Sequence, residues 1–239
     1  MERVLSIPQI EQRTPEWYEA RNNMITASDI AAVLGMNKYQ SKNALLKKKV
    51  YPKESLYCSA AMLHGIKNED IARDKFCEKY GVQCEEVGLF VHPEYSFIGG
   101  SPDGICNDGR LVEIKCPLSR EIKHEIPEHY YPQVQICMEI LNIEECYFIQ
   151  YQEETIFRKE ILDVLIVKRD EEWFQSNLPI IDEFWKSVLD ARIHGLIDKR
   201  KVINLKSLEN EVPPPYCYIV SDNEEADNGD EEADNGDED

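Results

Sequence analysis

Residues 99–117 read GGSPDGICNDGRLVEIKCP, and no other stretch constrains the fold as tightly. Val112 and Ile114 alternate with Leu111, Glu113 and Lys115, and a strand has a side-chain period of two. Glu113 and Lys115 therefore share one face of a strand, while Val112 and Ile114 turn the other way into a core. Just upstream, Asn107-Asp108-Gly109 is a hairpin-turn signal, because Asp-Gly readily takes the positive φ such turns demand. The turn folds the segment carrying Asp103 back beside the strand carrying Glu113. Two carboxylates and one ammonium then converge on one spot.

A chain of 239 residues, 42% hydrophobic and 9% aromatic, can bury a core and is most simply one domain plus extras. No apolar run approaches the roughly 18 residues that cross a bilayer. The first seventeen residues, MERVLSIPQIEQRTPEW, lack the apolar stretch of a secretory signal, so a soluble intracellular protein is expected. Eight cysteines, at 58, 77, 84, 106, 116, 137, 146 and 217, form no C-x-x-C pair and no short-spaced cluster with histidine. That scatter argues against a zinc ribbon and predicts free, mostly buried thiols. The formal charge of −19 looks hostile to nucleic acid, but it is uneven. Thirteen acidic and no basic residues follow position 206, leaving 33 acidic and 27 basic in the rest. A positive DNA-facing groove on a mildly acidic body is compatible with this balance.

Along the chain, Thr14-Pro15 predicts a capped helix over 14–23. Thr26 and Asp29 have the spacing of a capping box, which predicts a helix over 27–34. Its exposed N–H groups beside the Ser28 hydroxyl would either attract phosphate or serve an ordinary cap. The lysine-rich 42–53 reads as a solvated helix face unless its position makes it a DNA contact. Residues 59–80 predict a long helix with Met62, Gly65, Glu69, Ala72, Phe76 and Tyr80 on one face. Glu69 is the misfit there, either at the edge of the core or held by a cation. Strands are expected at 86–92, 97–98, 146–151 and 155–167, with Glu153-Glu154 at a hairpin turn. A helix is expected at 130–141, with Gln133 in its first turn, and two helical segments over 170–193 broken at Pro179. The repeated EEADNGD at 224–230 and 231–237 has nothing apolar to bury and predicts a disordered acidic tail over 207–239.

The helix with Glu69, the strand pair with Asp103 and Glu113-x-Lys115, and the helix with Gln133 together resemble the PD-(D/E)XK nuclease superfamily. Further elements occur in order: W-x3-R-x4-TASD (Trp17, Arg21 and Thr26 to Asp29), G-x3-E-x2-AR (Gly65, Glu69, Ala72, Arg73), SPDG, LVEIKCP and QVQ. This set is similar to the phage-lambda-type exonucleases, also called YqaJ-like viral recombinases, over roughly 13–191. The resemblance implies an α/β restriction-endonuclease-like core over 1–206, a mixed central sheet flanked by helices. Asp103, Glu113, the main-chain carbonyl of Ile114 and Glu69 would supply the hard oxygens that Mg²⁺ or Mn²⁺ prefers, two ions per site. Lys115 would orient or deprotonate the attacking water, and Gln133 would hold the water or the scissile phosphate. Carried over by position, Arg21, Ser28 and Ser101 would bind a 5′-terminal phosphate. Met62 falls where the family places an apolar wedge against the terminal base pair, with a core methionine as the equal alternative.

The expected activity is a Mg²⁺-dependent 5′→3′ exonuclease on double-stranded DNA ends that leaves 3′ single strands for recombination or repair. A ring-shaped homotrimer and a single-strand annealing partner are implied by the resemblance. A structure-specific endonuclease, a 3′-directed exonuclease and a non-catalytic DNA-end-binding protein are the alternatives.

Overall fold

The computed structural model describes residues 1–52, 59–198 and 219–220, the last two and 197–198 by their backbone alone. The chain falls into two units, Met1–Gly195 and Leu196–Asp239. In the second, β9 (Ile197–Asp198) and β10 (Ile219–Val220) pair in parallel. Apart from 219–220, the expected acidic tail lies outside the described residues. Among the described residues no helix is long and apolar enough to cross a membrane.

The first unit runs through α1 (Glu2–Leu5), α2 (Pro15–Asn22), β1 (Ile25–Thr26), a 3₁₀ turn (Ala27–Asp29), α3 (Ile30–Val33), α4 (Lys42–Val50) and α5 (Ala60–Tyr80). There follow β2 (Cys84–Glu85), β3 (Phe90–Val91), β4 (Ile98–Gly100), β5 (Gly104–Cys106) and β6 (Leu111–Lys115). The unit closes with α6 (Tyr131–Leu141), β7 (Glu145–Gln152), β8 (Ile161–Lys168) and α7 (Glu171–His194). The larger sheet has the order β2-β5-β6-β7-β8, with β6 and β7 parallel and the other pairs antiparallel. A smaller sheet, β1-β4-β3, mixes a parallel and an antiparallel pair. The architecture is therefore the expected mixed α/β sheet flanked by helices.

The reason β6 sits at the centre is its composition. Val112 and Ile114 pack with Ala72 and Phe76 of α5 and with Tyr147, Ile149 and Tyr151 of β7. On the opposite face Gln133 of α6 reaches Glu113. Both faces of β6 are thus covered, which is the usual condition of a strand with a parallel neighbour. The expected hairpin forms as read: Gly109 takes φ 91°, and its N–H donates to the Cys106 carbonyl at 2.9 Å. Helix α5 starts at a Ser59 cap and ends at Gly81 with φ 66°, the left-handed C-terminal cap that glycine favours.

Several local expectations are corrected. The expected Thr26–Asp29 capping box forms, but residues 27–34 behind it make a 3₁₀ turn and one short α-helix rather than a single helix. The strand expected from 155 begins at Ile161. Thr155 Oγ1 accepts from the N–H groups of Phe157 and Arg158, closing a turn whose apolar residues mimic strand alternation while standing exposed. Helix α7 is continuous through Pro179. Its buried stripe, Phe174, Ile181, Phe184, Val188 and Ala191, spans the proline, and that burial outweighs the roughly 3 kcal/mol a helix-interior proline costs. The stripe of α5 is also narrower than expected: Ala72 and Phe76 are buried, whereas Met62 and Tyr80 are exposed. The six described cysteines are free, with Cys106, Cys137 and Cys146 buried, as their spacing suggested.

Candidate active site

Folding β5 back onto β6 brings Asp103 alongside Glu113. The Asp103 N–H donates to the Val112 carbonyl at 3.0 Å, and its Oδ2 accepts from the Ile114 N–H at 2.6 Å. Glu113 is 1% exposed, and its Oε1 accepts from Gln133 Nε2 at 2.5 Å and from the Lys115 ammonium. Its Oε2 is buried and has no hydrogen-bond partner. The Lys115 ammonium also lies 5.0 Å from the centre of the Tyr130 ring. Glu113 and Lys115 therefore form an ion pair that is largely withdrawn from solvent.

Glu69 approaches from α5. Both its oxygens accept from Arg13 Nη2 at 3.2 Å, and Oε1 also accepts from Arg73 Nη2 at 3.3 Å. The same Arg73 nitrogen donates to the Asp103 carbonyl at 3.3 Å, tying α5 to the hairpin. Burial and the Asp103 charge push Glu69 up to about 7 against the pull of Arg13 and Arg73. Burial pushes Glu113 up to about 8, with Lys115 opposing and Asp103 and Glu69 adding to the rise. Burial raises Asp103 as well. Lys115 loses solvation, but Glu113 and Asp103 outweigh that and keep it charged.

Among the described residues no three His, Cys, Asp or Glu side chains stand together as a metal cage. The contacts explain this: Arg13 and Arg73 hold Glu69, Lys115 holds Glu113, and a main-chain N–H holds Asp103. The donor set nevertheless fits a hard divalent cation. It consists of the buried Glu113, one of whose oxygens has no partner, and the half-buried Glu69 and Asp103, all three left reluctant to ionise by desolvation, with neighbouring carboxylates adding to the effect on Glu69 and Glu113. The carbonyl of Ile114 belongs to the peptide next to the N–H that Asp103 holds.

The expected phosphate residues are also gathered. Arg21 Nη2 donates to Ser28 Oγ at 3.2 Å, its guanidinium stacks over Trp17 at 4.1 Å, and Trp17 Nε1 donates to Ser101 Oγ at 3.0 Å. Trp17 thus joins Arg21 to Ser101, two positions before Asp103. Behind them runs a closed circuit. Ser28 Oγ and Thr26 Oγ1 are 3.1 Å apart, Thr26 Oγ1 donates to Asp29 Oδ2 at 2.7 Å, and Lys49 Nζ bridges Asp29 Oδ2 and the Arg21 carbonyl at 2.7 Å each. Lys49 is 3% exposed and Asp29 4%, so Lys49 is no part of a solvated face. Burial works against the Asp29 carboxylate, but Lys49 and the Thr26 hydroxyl together hold its pKa below the ordinary range. Met62 is 57% exposed, which removes the core-methionine alternative; it lies two helical turns, about 10 Å, from Glu69 along α5.

Sequence reasoning missed Arg13, Lys49 and the bridging role of Trp17. Nothing local marks Arg13, which adopts φ 66°. For Lys49 the available signal was its place beside Leu45, Leu46 and Val50, which are all buried. Conversely, Gln135 and the Arg169-Asp170 pair hold the fold together. Gln135 donates to the Lys168 carbonyl and accepts from the Asp170 N–H, and Arg169 binds Glu139.

The fold is that of exonucleases. It matches an alkaline exonuclease from Laribacter hongkongensis at 27% identity and a TM-score of 0.66, covering 80% of this chain and 100% of that one. A phage-related exonuclease from Haemophilus somnus shares the fold alone, at 12% identity and a TM-score of 0.53, over 79% of this chain and 96% of that one. Residues 16–144 match the YqaJ-like viral recombinase domain, and the chain belongs to that family. Relatives include the uncharacterized protein R354 of Acanthamoeba polyphaga mimivirus, 32% identical over 62% of this chain and 30% of its own length. Protein D345L of African swine fever virus is 30% identical over 52% of this chain and 45% of its own. The uncharacterized protein YqaJ of Bacillus subtilis is 29% identical over 73% and 56%. The chain thus spans between 30% and 56% of the length of these relatives.

Proposed function

We propose that the chain is a metal-dependent exonuclease that enters double-stranded DNA at an end and degrades one strand from its 5′ terminus, leaving a 3′ single strand. The observation that carries this reading is the partnerless Glu113 Oε2, buried beside Asp103 and within the reach of Lys115. A bare carboxylate oxygen in such a place is costly unless a cation takes it. Asp103, Glu113, the Ile114 carbonyl and Glu69 would hold Mg²⁺, with Mn²⁺ as a substitute. Bound there, the metal supplies Lewis-acid polarisation of the phosphodiester and an activated water.

The chain's own groups do the rest. Lys115 orients the attacking water and balances charge developing on the phosphate. Gln133 holds Glu113 Oε1 through its amide, which leaves Oε2 as the oxygen that would take the metal. Arg13 and Arg73 keep Glu69 near the hairpin. Arg21, Ser28 and Ser101 take the terminal 5′ phosphate, with the Arg21 fork suited to bidentate contact. Because Ser101 and Asp103 lie in one segment, the end that is recognised and the bond that is cut share a rigid frame. Met62 serves as the wedge against the terminal base pair. The reading is supported by family membership and by a relative solved in complex with dAMP, the Laribacter hongkongensis exonuclease. A homotrimer around DNA and a single-strand annealing partner belong to the same proposal.

The test uses end-labelled linear duplexes carrying a 5′ phosphate or a 5′ hydroxyl, digested over a Mg²⁺ titration. Metal-dependent release of 5′ nucleotides, slower from hydroxyl ends, is expected. Asp103→Ala and Lys115→Ala should each lower the rate by about 10²-fold or more with the fold retained by circular dichroism. Cleavage of closed circular duplex would replace the reading with an endonuclease, and metal-independent binding without hydrolysis would replace it with an end-binding protein.

A further inference from the structure

We propose that Cys84 and Cys106 form a reversible disulfide, a thiol-oxidation site on the strand that leads directly out of Asp103. The two residues face each other across the antiparallel pair β2–β5. The Asn107 N–H donates to the Gln83 carbonyl at 2.9 Å, so the neighbouring rung is hydrogen-bonded. Rungs alternate in an antiparallel ladder, which makes Cys84 and Cys106 a non-hydrogen-bonded pair. Such pairs bring Cα atoms to about 4.5 Å, inside the range of about 4.4–6.8 Å that a disulfide spans.

The two thiols are close enough for each to shift the other's ionisation, and neither is in a disulfide. A Cβ placed at Gly104 would run into the Cys84 sulfur, so the absence of a side chain at 104 leaves that sulfur its place over β5. Cys84 is half-buried whereas Cys106 is fully buried, so an oxidant reaches Cys84 first. The Arg73 charge also favours the Cys84 thiolate, whereas burial works against ionising Cys106. Cys84 is thus the attacking sulfur and Cys106 the resolving one.

The oxidant is a peroxide. The Cys84 thiolate attacks one peroxide oxygen, the O–O bond breaks, and a sulfenic acid and hydroxide result. Cys106 sulfur then displaces the sulfenic hydroxyl, which takes the Cys106 proton and leaves as water as the S–S bond forms, while the hydroxide from the first step takes a proton from solvent. Two thiols are oxidised, one peroxide is reduced to two waters, and a dithiol reductant reverses the change. The bond ties β2 to the strand that follows Asp103. Cys77 of α5, which packs in the same neighbourhood, is the competing partner.

The experiment treats the full chain with hydrogen peroxide, blocks remaining thiols and maps the peptides by mass spectrometry. A Cys84–Cys106 linkage is expected, removed by dithiothreitol and absent from Cys106→Ser, where a sulfenic-acid trap should label Cys84. A Cys77–Cys84 linkage, over-oxidation of Cys84 with Cys106 still reduced, or no loss of either thiol would overturn the proposal. The wild-type map decides the matter even where Cys106→Ser fails to fold, and it does not depend on nuclease activity.

Discussion

Glu113 is a strand residue whose neighbours are chosen to tolerate a charge that burial disfavours. Lys115 and Gln133 satisfy one oxygen and leave the other bare, so in a chelator the group resists ionising. Glu113 stands at about 8 and Glu69 at about 7, both above the ordinary carboxylate value of 4.5. Folded values raised in this way add stability below about 4.5, and that contribution is lost as pH rises through about 7 to 8. In EDTA the unfolding midpoint should therefore fall across that window, and Mg²⁺ should flatten the decline; an unchanged pH profile on adding Mg²⁺ would count against metal binding here. Lys49 provides a second residue-scale test. Lys49→Met leaves Asp29 buried and uncompensated, with an expected loss of about 3–5 kcal/mol in urea unfolding. The double variant Asp29→Leu/Lys49→Met should recover much of that stability without restoring preference for 5′-phosphorylated ends, because the circuit through Thr26 and Ser28 to Arg21 is gone. The convergence of Asp103, Glu113 and Lys115 was legible because a strand period and a turn signal act over a few residues, whereas Gln133 entered through the family resemblance. Arg13 and Lys49 were not, because each acts on a carboxylate far away in the chain.

Among the elements, the hairpin over 106–111 and the long helix α5 were read correctly, since Asp-Gly, Ser59 and Gly81 encode their own turns and caps. The departures have different causes. At Thr155 a short polar side chain captured nearby N–H groups and closed a turn where a strand was expected. At Pro179 the opposite happened: tertiary burial carried a helix through a residue that breaks it locally. Pro179→Ala restores a donor toward the Gln175 carbonyl and removes the ring. It should stabilise the fold by about 1–3 kcal/mol, a rise of several degrees in Tm by calorimetry. A loss of stability would mean that the packing around α7 depends on the proline ring.

For the whole molecule the uneven charge is the property that a sequence states outright. Thirteen acidic residues follow position 206 without one basic residue. If this segment competes with DNA for Arg21 and the other basic groups that would meet phosphate, deleting 207–239 should tighten binding to duplex ends at low salt and steepen its salt dependence, with the difference shrinking toward high salt. Equal affinities across a salt titration would end that idea. Family and fold class were determined by the sequence alone, as was the folding of Asp103 back beside Glu113, because strand period, turn chemistry and motif order are local or ordered along the chain. What only the tertiary structure decided was which charges compensate which. Arg13 on Glu69, Lys49 on Asp29, Trp17 between Arg21 and Ser101, and the bare oxygen of Glu113 all depend on through-space contacts between separate segments. The physical reason is desolvation: a buried charge must find its partner in three dimensions, and sequence spacing carries no record of that distance.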